Sequence, residues 1–460
     1  MIRLNNNWEF TETWSDAFAR FEGEARAVRL PHNVRELGLH YADPADYSLL
    51  CGYRRKIDVP ESWRGKRLFL QFDGAAHIAT VYCNGRPVAV HNCGYTAFRA
   101  EITSAVRFGE ENTITVRLDT TENGAVPPFG YMIDYLTYGG LYRDVWLDVR
   151  PEDYIEDIFI CTPELNKAHI DLTIKGDHDG VMLKVLDAHG DEVYTLTAGG
   201  DRFDLTLQDA QIWDPYDPYL YTCEVTLLHK DSRERDVQRT AFGFRTAQFK
   251  SDGFYLNGKK FFIRGLNRHQ SYPYMGYAAS ESLQREDARI LKEELCCNAV
   301  RTSHYPQSRY FIDECDRLGL LVFTEIPGWQ HIGDAAWKDQ AVEDYAVQNG
   351  ACAIAMDPRT GAMAAMPAFS LSIRSCMPMT PVEPISTWSF PMPSAAAAAS
   401  AVRRQASRPS SPVQALAMPE FMTAALTDPP ASTISRSQIT GAAFTTLLVN
   451  VPAAMQSASL

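Results

Sequence analysis

Three short stretches hold side chains able to bond a ligand or carry protons. RTSHYP (301–306) follows the apolar run Asn298-Ala299-Val300 and carries His304, whose imidazole can donate to or accept from a hydroxyl. LLVFTEIP (320–327) is an apolar run ending in the carboxylate of Glu325. Upstream, IRGLNRH brings Arg264, Asn267, Arg268 and His269 together just after Phe261-Phe262-Ile263. Polar groups at the ends of buried strands either face a ligand or cap a loop, and these residues taken alone leave both readings open. The ten cysteines contain no C-x-x-C pair and no zinc-type spacing, so reduced thiols are expected, with Cys296-Cys297 on a helix.

The elements that would position these groups change character along the chain. Residues 1–150 read as an all-β domain of short alternating strands with a tight hairpin turn at Asn84-Gly85, where both positions tolerate positive φ. Residues 151–247 repeat that texture in HIDLTIKG, GVMLKVLD and YLYTCEVTLLHK, and roughly seven strands in about a hundred residues suit an immunoglobulin-like sandwich. From 248 the pattern becomes strand–helix–strand–helix–strand. Phe261–Ile263 is the expected first strand, Leu283, Ile290, Leu291 and Leu295 form one helical face, and NAVRTSH is a second strand. A helix from near Pro306 carries Phe311, Cys315 and Leu318 inward and ends at Gly319; LLVFTEIP is the third strand. Parallel strands of this kind fit the first three of a (β/α)₈ barrel, covering 248–344. The expected fold class is therefore multidomain β plus α/β: a jelly-roll-like sandwich, an immunoglobulin-like sandwich, an incomplete barrel and an irregular tail.

The tail, 345–460, breaks the pattern. From Ala346 onward there is no Lys, six Arg and four acidic residues, within Ala-, Ser-, Pro- and Met-rich sequence. No helical or strand period lasts there, so the segment offers no regular apolar faces with which to close a barrel. It reads as mis-joined or out-of-frame coding sequence, or else as a disordered tail.

Whole-chain properties narrow the class. The 460 residues are 45% hydrophobic, with net charge −13 and pI near 5.4. This argues against nucleic acid, whose phosphates require clustered Lys and Arg. No stretch reaches the roughly 18 apolar residues of a membrane span, and MIRLNNNWEF has no signal-peptide pattern. A cytoplasmic location is expected.

Four motifs resemble glycoside hydrolase family 2, most closely its β-galactosidases, over residues 1–343. They are CNGRPVAVHNCGYTAFRAEIT, IDYLTYGGLYRDVWL, GFRTAQFKSDGFYLNGKKFFIRGLNRHQSYPYMG and NAVRTSHYPQSRYFIDECDRLGLLVFTEIPGW. The resemblance implies a sugar-binding first sandwich and a retaining exo-glycosidase acting on terminal β-D-galactosides, with β-glucuronidases sharing the architecture. It implies that Asp134, His304 and His331 contact the sugar, that Arg268, Asn267 and Glu325 support the site from behind, and that Trp329 is either a sugar platform or packing. Tyr131, Tyr135 and Tyr138 are expected to pack.

Retention requires two Glu about 5 Å apart, and the family places both on later barrel strands. Asp357, Glu383, Glu420 and Asp428 do not stand in such contexts. The chain is thus expected to be truncated before both catalytic Glu and inactive, with no catalytic and no metal-binding residue of its own; magnesium and sodium belong to intact relatives, as does any homo-oligomer. The expected partner is a β-galactoside or related saccharide. A non-catalytic carbohydrate-binding fragment is the alternative, and an aggregation-prone open barrel a third. The stretch 341–366, AVEDYAVQNGACAIAMDPRTGAMAAM, resembles the opening of a penicillin-binding-protein transpeptidase domain, but the Lys-free tail cannot supply its Ser-x-x-Lys.

Overall fold

The computed structural model describes residues 1–38, 43–130, 133, 135–230, 235–325, 327–328, 331, 333–346, 354–356 and 363–365. Asp134, Tyr131 and Trp329 lie outside them, as does nearly all of the tail.

The first domain is a two-sheet sandwich. Its six-stranded antiparallel sheet runs, edge to edge, Arg26–Val28, Trp8–Thr11, Leu50–Val59, Glu110–Asp119, Ile78–Cys83 and Arg86–His91. The four-stranded sheet runs Ile2–Arg3, Val145–Arg150, Arg67–Phe72 and Phe98–Glu101. Alternation sends Leu68, Leu70 and Phe72 from one sheet and Ile114, Val116 and Leu118 from the other into a shared core. The hairpin turn falls at Asn84-Gly85, with φ of 50° and 78°. The side chain of Asn84 holds it, donating to Ala105 O (2.9 Å) and Asn112 Oδ1 (2.7 Å).

The second domain has a three-stranded sheet (Tyr154–Glu164, Lys167–Lys175, Arg202–Thr206) and a four-stranded one (Glu192–Ala198, Gly180–Leu186, Tyr221–Leu228, Val237–Phe242). Both inner faces fill one core around Ile170, Val185 and Val225, which makes the seven strands an immunoglobulin-like sandwich.

The barrel portion has three parallel strands, Gly265–Arg268, Ala299–Thr302 and Leu321–Thr324, with Gly265 opposite Ala299 and Ala299 opposite Leu321. Helices Glu281–Arg289, Arg309–Leu318 and Ala335–Ala346 follow them in turn. The second helix behaves as the sequence pattern requires: Phe311 and Cys315 are buried, and Gly319 closes it in the left-handed conformation (φ 81°), donating to Cys315 O at 3.0 Å.

Several expectations change. The first strand is Gly265–Arg268, not Phe261–Ile263. Phe261 and Ile263 instead pack with Trp213, Phe254 and Leu256 beneath Ala299 and Leu321, as a floor to the barrel, and Phe262 is 57% exposed. The buried face of the first helix runs through Gln284, Ala288 and Leu291, while Leu295 lies 53% exposed, because a wider turn over Ile290–Glu294 rotates the helix end. Cys296 and Cys297 follow that turn and are not helical, and Cys296 has a φ of 52°. The helix near Pro306 begins at Arg309. Beyond 344 the last helix continues to Ala346, and Ile354–Met356 pairs antiparallel with Met363–Ala365.

Candidate functional site

Strand alternation decides which of the polar residues meet. Opposite residues on paired strands point to the same face. Val300 and Val322 pack with the helices, so Leu266, Arg268 and Thr302, which share their face, look outward. Asn267 and Arg301, paired across the first two strands, look toward the barrel axis.

On that inner side Arg301 is the hub. Its Nε donates to Glu325 Oε1, its Nη2 lies 3.2 Å from His304 Nδ1, and its Nη1 reaches Asn267 Oδ1 at 3.5 Å. His304 Nδ1 lies 2.8 Å from Glu325 Oε2. His304 and Glu325 are mostly buried, with side chains 10% and 13% exposed. His304 thus stands at the C-terminal end of its strand in contact with the third strand, the end at which barrel proteins place their sites. The peptide bond between Ser303 and His304 is cis.

An aromatic wall backs this cluster. His269 Nδ1 lies 3.2 Å from the Tyr305 hydroxyl, and its ring lies 5.4 Å from those of His304 and Tyr135. Tyr305 stacks on Tyr95 of the first sandwich, with centroids 4.3 Å apart at 11°. Arg143, also from that sandwich, is buried and donates to Asp73 O (3.2 Å), Tyr95 O (3.1 Å), Gln270 Oε1 (3.1 Å) and Pro306 O (2.9 Å). Four charge-assisted bonds from one guanidinium therefore tie the sandwich to both strand-end loops. Burial of Tyr277 and Tyr305 in this wall raises both phenols well above the usual range.

The expected residues separate into groups. Asn267, His304 and Glu325 come together. Arg268 does not join them: its guanidinium bonds Asp287 Oδ2 (2.8 and 2.6 Å), Gln284 Oε1 (2.9 Å) and Gln307 Oε1, and lies 4.0 Å from the Phe311 ring centroid. It ties the first strand to its helices on the face away from the site. Arg264 precedes the strand and donates to Tyr216 OH (3.2 Å) at the opposite end. His331 packs edge-on against Trp337 (5.5 Å, 88°) beside the first sandwich's loop, where a Cβ on Gly130 would run into its imidazole. Trp337 Nε1 donates to Phe129 O of that loop at 3.1 Å. Asp134 falls outside the described residues. Tyr135 packs as expected, but it packs on the site histidines.

Arg301 is the residue that sequence reasoning passed over. Its signal was available: it lies three residues before His304 and one strand position from Asn267. Among the described residues no three His, Cys, Asp or Glu side chains converge as a metal site.

Two sandwiches followed by parallel barrel strands, with polar groups gathered at the strand C-termini, define a modular barrel protein with a polar cluster at the top of its barrel strands. Three family models match in this order: the sugar binding domain of glycosyl hydrolases family 2 at 25–151, glycosyl hydrolases family 2 at 154–245, and the family's TIM barrel domain at 247–360. The chain belongs to glycoside hydrolase family 2.

It is 40% identical over 365 residues to a β-galactosidase of Thermoanaerobacterium thermosulfurigenes, covering 75% of this chain and 51% of that protein. It is 32% identical to a β-glucuronidase of Bacteroides fragilis, covering 75% and 52%. The apo structure of β-glucuronidase 3 from Bacteroides uniformis superposes with a TM-score of 0.68 at 29% identity, over 75% of this chain and 48% of that one. The chain spans about half the length of the curated relatives it matches. Among the described residues no helix is long and apolar enough to cross a membrane.

Proposed function

We propose that this chain carries the sugar-contacting first half of a retaining exo-glycosidase of the β-galactosidase type, acting on terminal β-D-galactosides in carbohydrate catabolism. The observation that carries the reading is the Asn267–Arg301–His304–Glu325 constellation at the strand C-termini. Amide, imidazole and guanidinium groups together offer donors and acceptors matched to sugar hydroxyls. The galactoside preference rests on the 40% identity to a β-galactosidase.

The reaction is double displacement through a covalent glycosyl-enzyme. It needs a nucleophile and a separate acid/base carboxyl. Glu325 is committed to Arg301 and His304, which suits a supporting role and not attack on a sugar. The chain as it stands therefore binds without turning over, and the missing pair belongs to the parts of the family's barrel that these three strands do not include. We assign no metal to this chain, and the thiols of Cys51, Cys83, Cys223, Cys297 and Cys315, all buried, suit the reducing cytoplasm.

A β-glucuronidase is the second reading, favoured by the structural likeness to β-glucuronidases. Calorimetric titration with lactose and with methyl β-D-glucuronide, alongside hydrolysis of the two nitrophenyl glycosides, separates these readings. Heat with lactose and no nitrophenol release is the expected result. Release of nitrophenol would overturn the inactivity, stronger binding of the glucuronide would overturn the galactoside assignment, and no heat with either sugar would overturn the site.

A further inference from the structure

We propose that Arg143 is a positioning residue for the strand-end site: a guanidinium of the first sandwich that holds the loops of His269 and His304 in place for a ligand. The role rests on the sugar-binding reading and places control of the site outside the barrel.

The fork of Arg143 is divided between two domains. Nη1 donates to the sandwich, at the carbonyls of Asp73 and Tyr95. Nη2 donates to the barrel portion, at Gln270 Oε1 and the carbonyl of Pro306. Both barrel acceptors adjoin the site: Gln270 follows His269, and Pro306 stands two residues after His304. A guanidinium is planar and rigid, so fixing one nitrogen on the sandwich fixes the direction of the other.

Two short circuits close through this group. Tyr95, whose carbonyl Arg143 holds, stacks its ring on Tyr305, which lies between His304 and Pro306. Tyr305 places its hydroxyl 3.2 Å from His269 Nδ1, and His269 leads back to Gln270. Each site histidine is thus braced by neighbours that end on Arg143. Bracing before a ligand arrives lowers the ordering cost of binding.

The charge itself points the same way. Arg143 is 6% exposed, and among the described residues no carboxylate lies within ion-pair reach of it. Arg268, buried to the same degree, has Asp287 at 2.6 Å. Burying a cation against neutral acceptors alone costs more than burying an apolar side chain of similar shape. Domain packing does not require that cost, whereas a rigid fork with four acceptors does. Gly74 makes room for it, since a Cβ there would sit 2.9 Å from Arg143 Cδ.

Lactose calorimetry, melting temperature and amide exchange of the whole 460-residue chain test this role. Arg143→Lys keeps the charge but cannot reach four acceptors. It is expected to weaken lactose binding roughly tenfold and to speed exchange in 269–272 and 303–308. Gly74→Ala keeps the guanidinium but displaces its stem, and is expected to act in the same direction, so the outcome does not hang on whether Arg143→Lys folds. Low-millimolar guanidinium should restore binding to Arg143→Ala and leave the parent unaffected. Trp213→Phe removes an indole N–H that donates to Asp316 O at 2.8 Å, near the end of the helix that leads into the third strand. It is expected to lower the melting temperature with affinity and loop exchange unchanged. Unchanged affinity and exchange in both Arg143→Lys and Gly74→Ala would overturn the proposal, as would a loss of affinity in Trp213→Phe in step with its stability. No lactose heat from the parent would overturn the sugar reading, and loop exchange then decides alone: faster in Arg143→Lys than in Trp213→Phe supports the positioning role, and equal exchange overturns it.

Discussion

Two arginines separate support of the site from support of the fold. Arg301 and Arg268 sit one strand apart, yet alternation aims one at the barrel axis and the other at the helices. Replacing Arg268 by Met leaves Asp287, Gln284 and Gln307 without their shared donor, so a loss of about 3 kcal/mol of stability is expected. Saccharide binding by the fraction still folded should be unchanged. Arg301→Met should act the other way round, abolishing lactose binding through the misplaced His304 and Glu325, with a smaller loss of stability because that pair is partly solvated. Urea denaturation and calorimetry on both variants check this, and a binding defect in Arg268→Met at full folding would refute it. The sequence gives residue types at strand ends but not their sides. Asn267 and Arg268 are adjacent, so both could not face the sugar, and a one-residue error in the strand start reverses which one does.

Among the elements, the second barrel helix was the most legible. Its apolar spacing and terminal glycine are local signals, and both appear in the structure. Gly319 also has a tertiary reason to be glycine, since a Cβ there would strike the carbonyl of Pro215 in the second sandwich. Gly319→Ala should therefore cost more than the roughly 1–2 kcal/mol of a left-handed alanine. A thermal melt showing no loss would contradict that packing. The first helix and strand were less legible because non-local partners set them. Arg268 draws Gln284 into the buried face, and Phe261 and Ile263 join Trp213, Phe254 and Leu256 in the floor beneath the barrel strands. Hydrophobicity alone cannot tell a barrel strand from a plug beneath a barrel.

At the scale of the whole molecule, the domain order was legible because sandwich and barrel textures differ in period. The wiring between them was not. Arg143 and the Tyr95–Tyr305 stack join residues far apart in sequence, with no local pattern to announce them. The first sandwich also stores a pH dependence. His77 is buried and His91 and His32 are half-buried, and loss of hydration pushes each imidazole down from 6.5 to about 4, with Arg26 adding to the effect at His32. Unfolding restores their ordinary affinity, so between about pH 6.5 and 4 the unfolded chain binds more protons and stability falls as pH falls. Asp316 works in the opposite sense: partial loss of hydration, opposed by Arg245 and by a side chain still 34% exposed, raises its carboxyl toward about 6, so the folded state holds a proton that the unfolded state releases. Three imidazoles against one carboxyl leave two protons, or about 3 kcal/mol per pH unit at most near the middle of that window. Asp73 and Asp236, also raised by burial, blunt the slope at its acid end. Urea midpoints measured from pH 7.5 to 4.5 should drop steadily below 6.5, and His77→Gln should flatten that drop by one proton. A flat profile across the window would mean that the first sandwich admits water to these rings, and so that its core is looser than the packing of Phe129 against His77 implies.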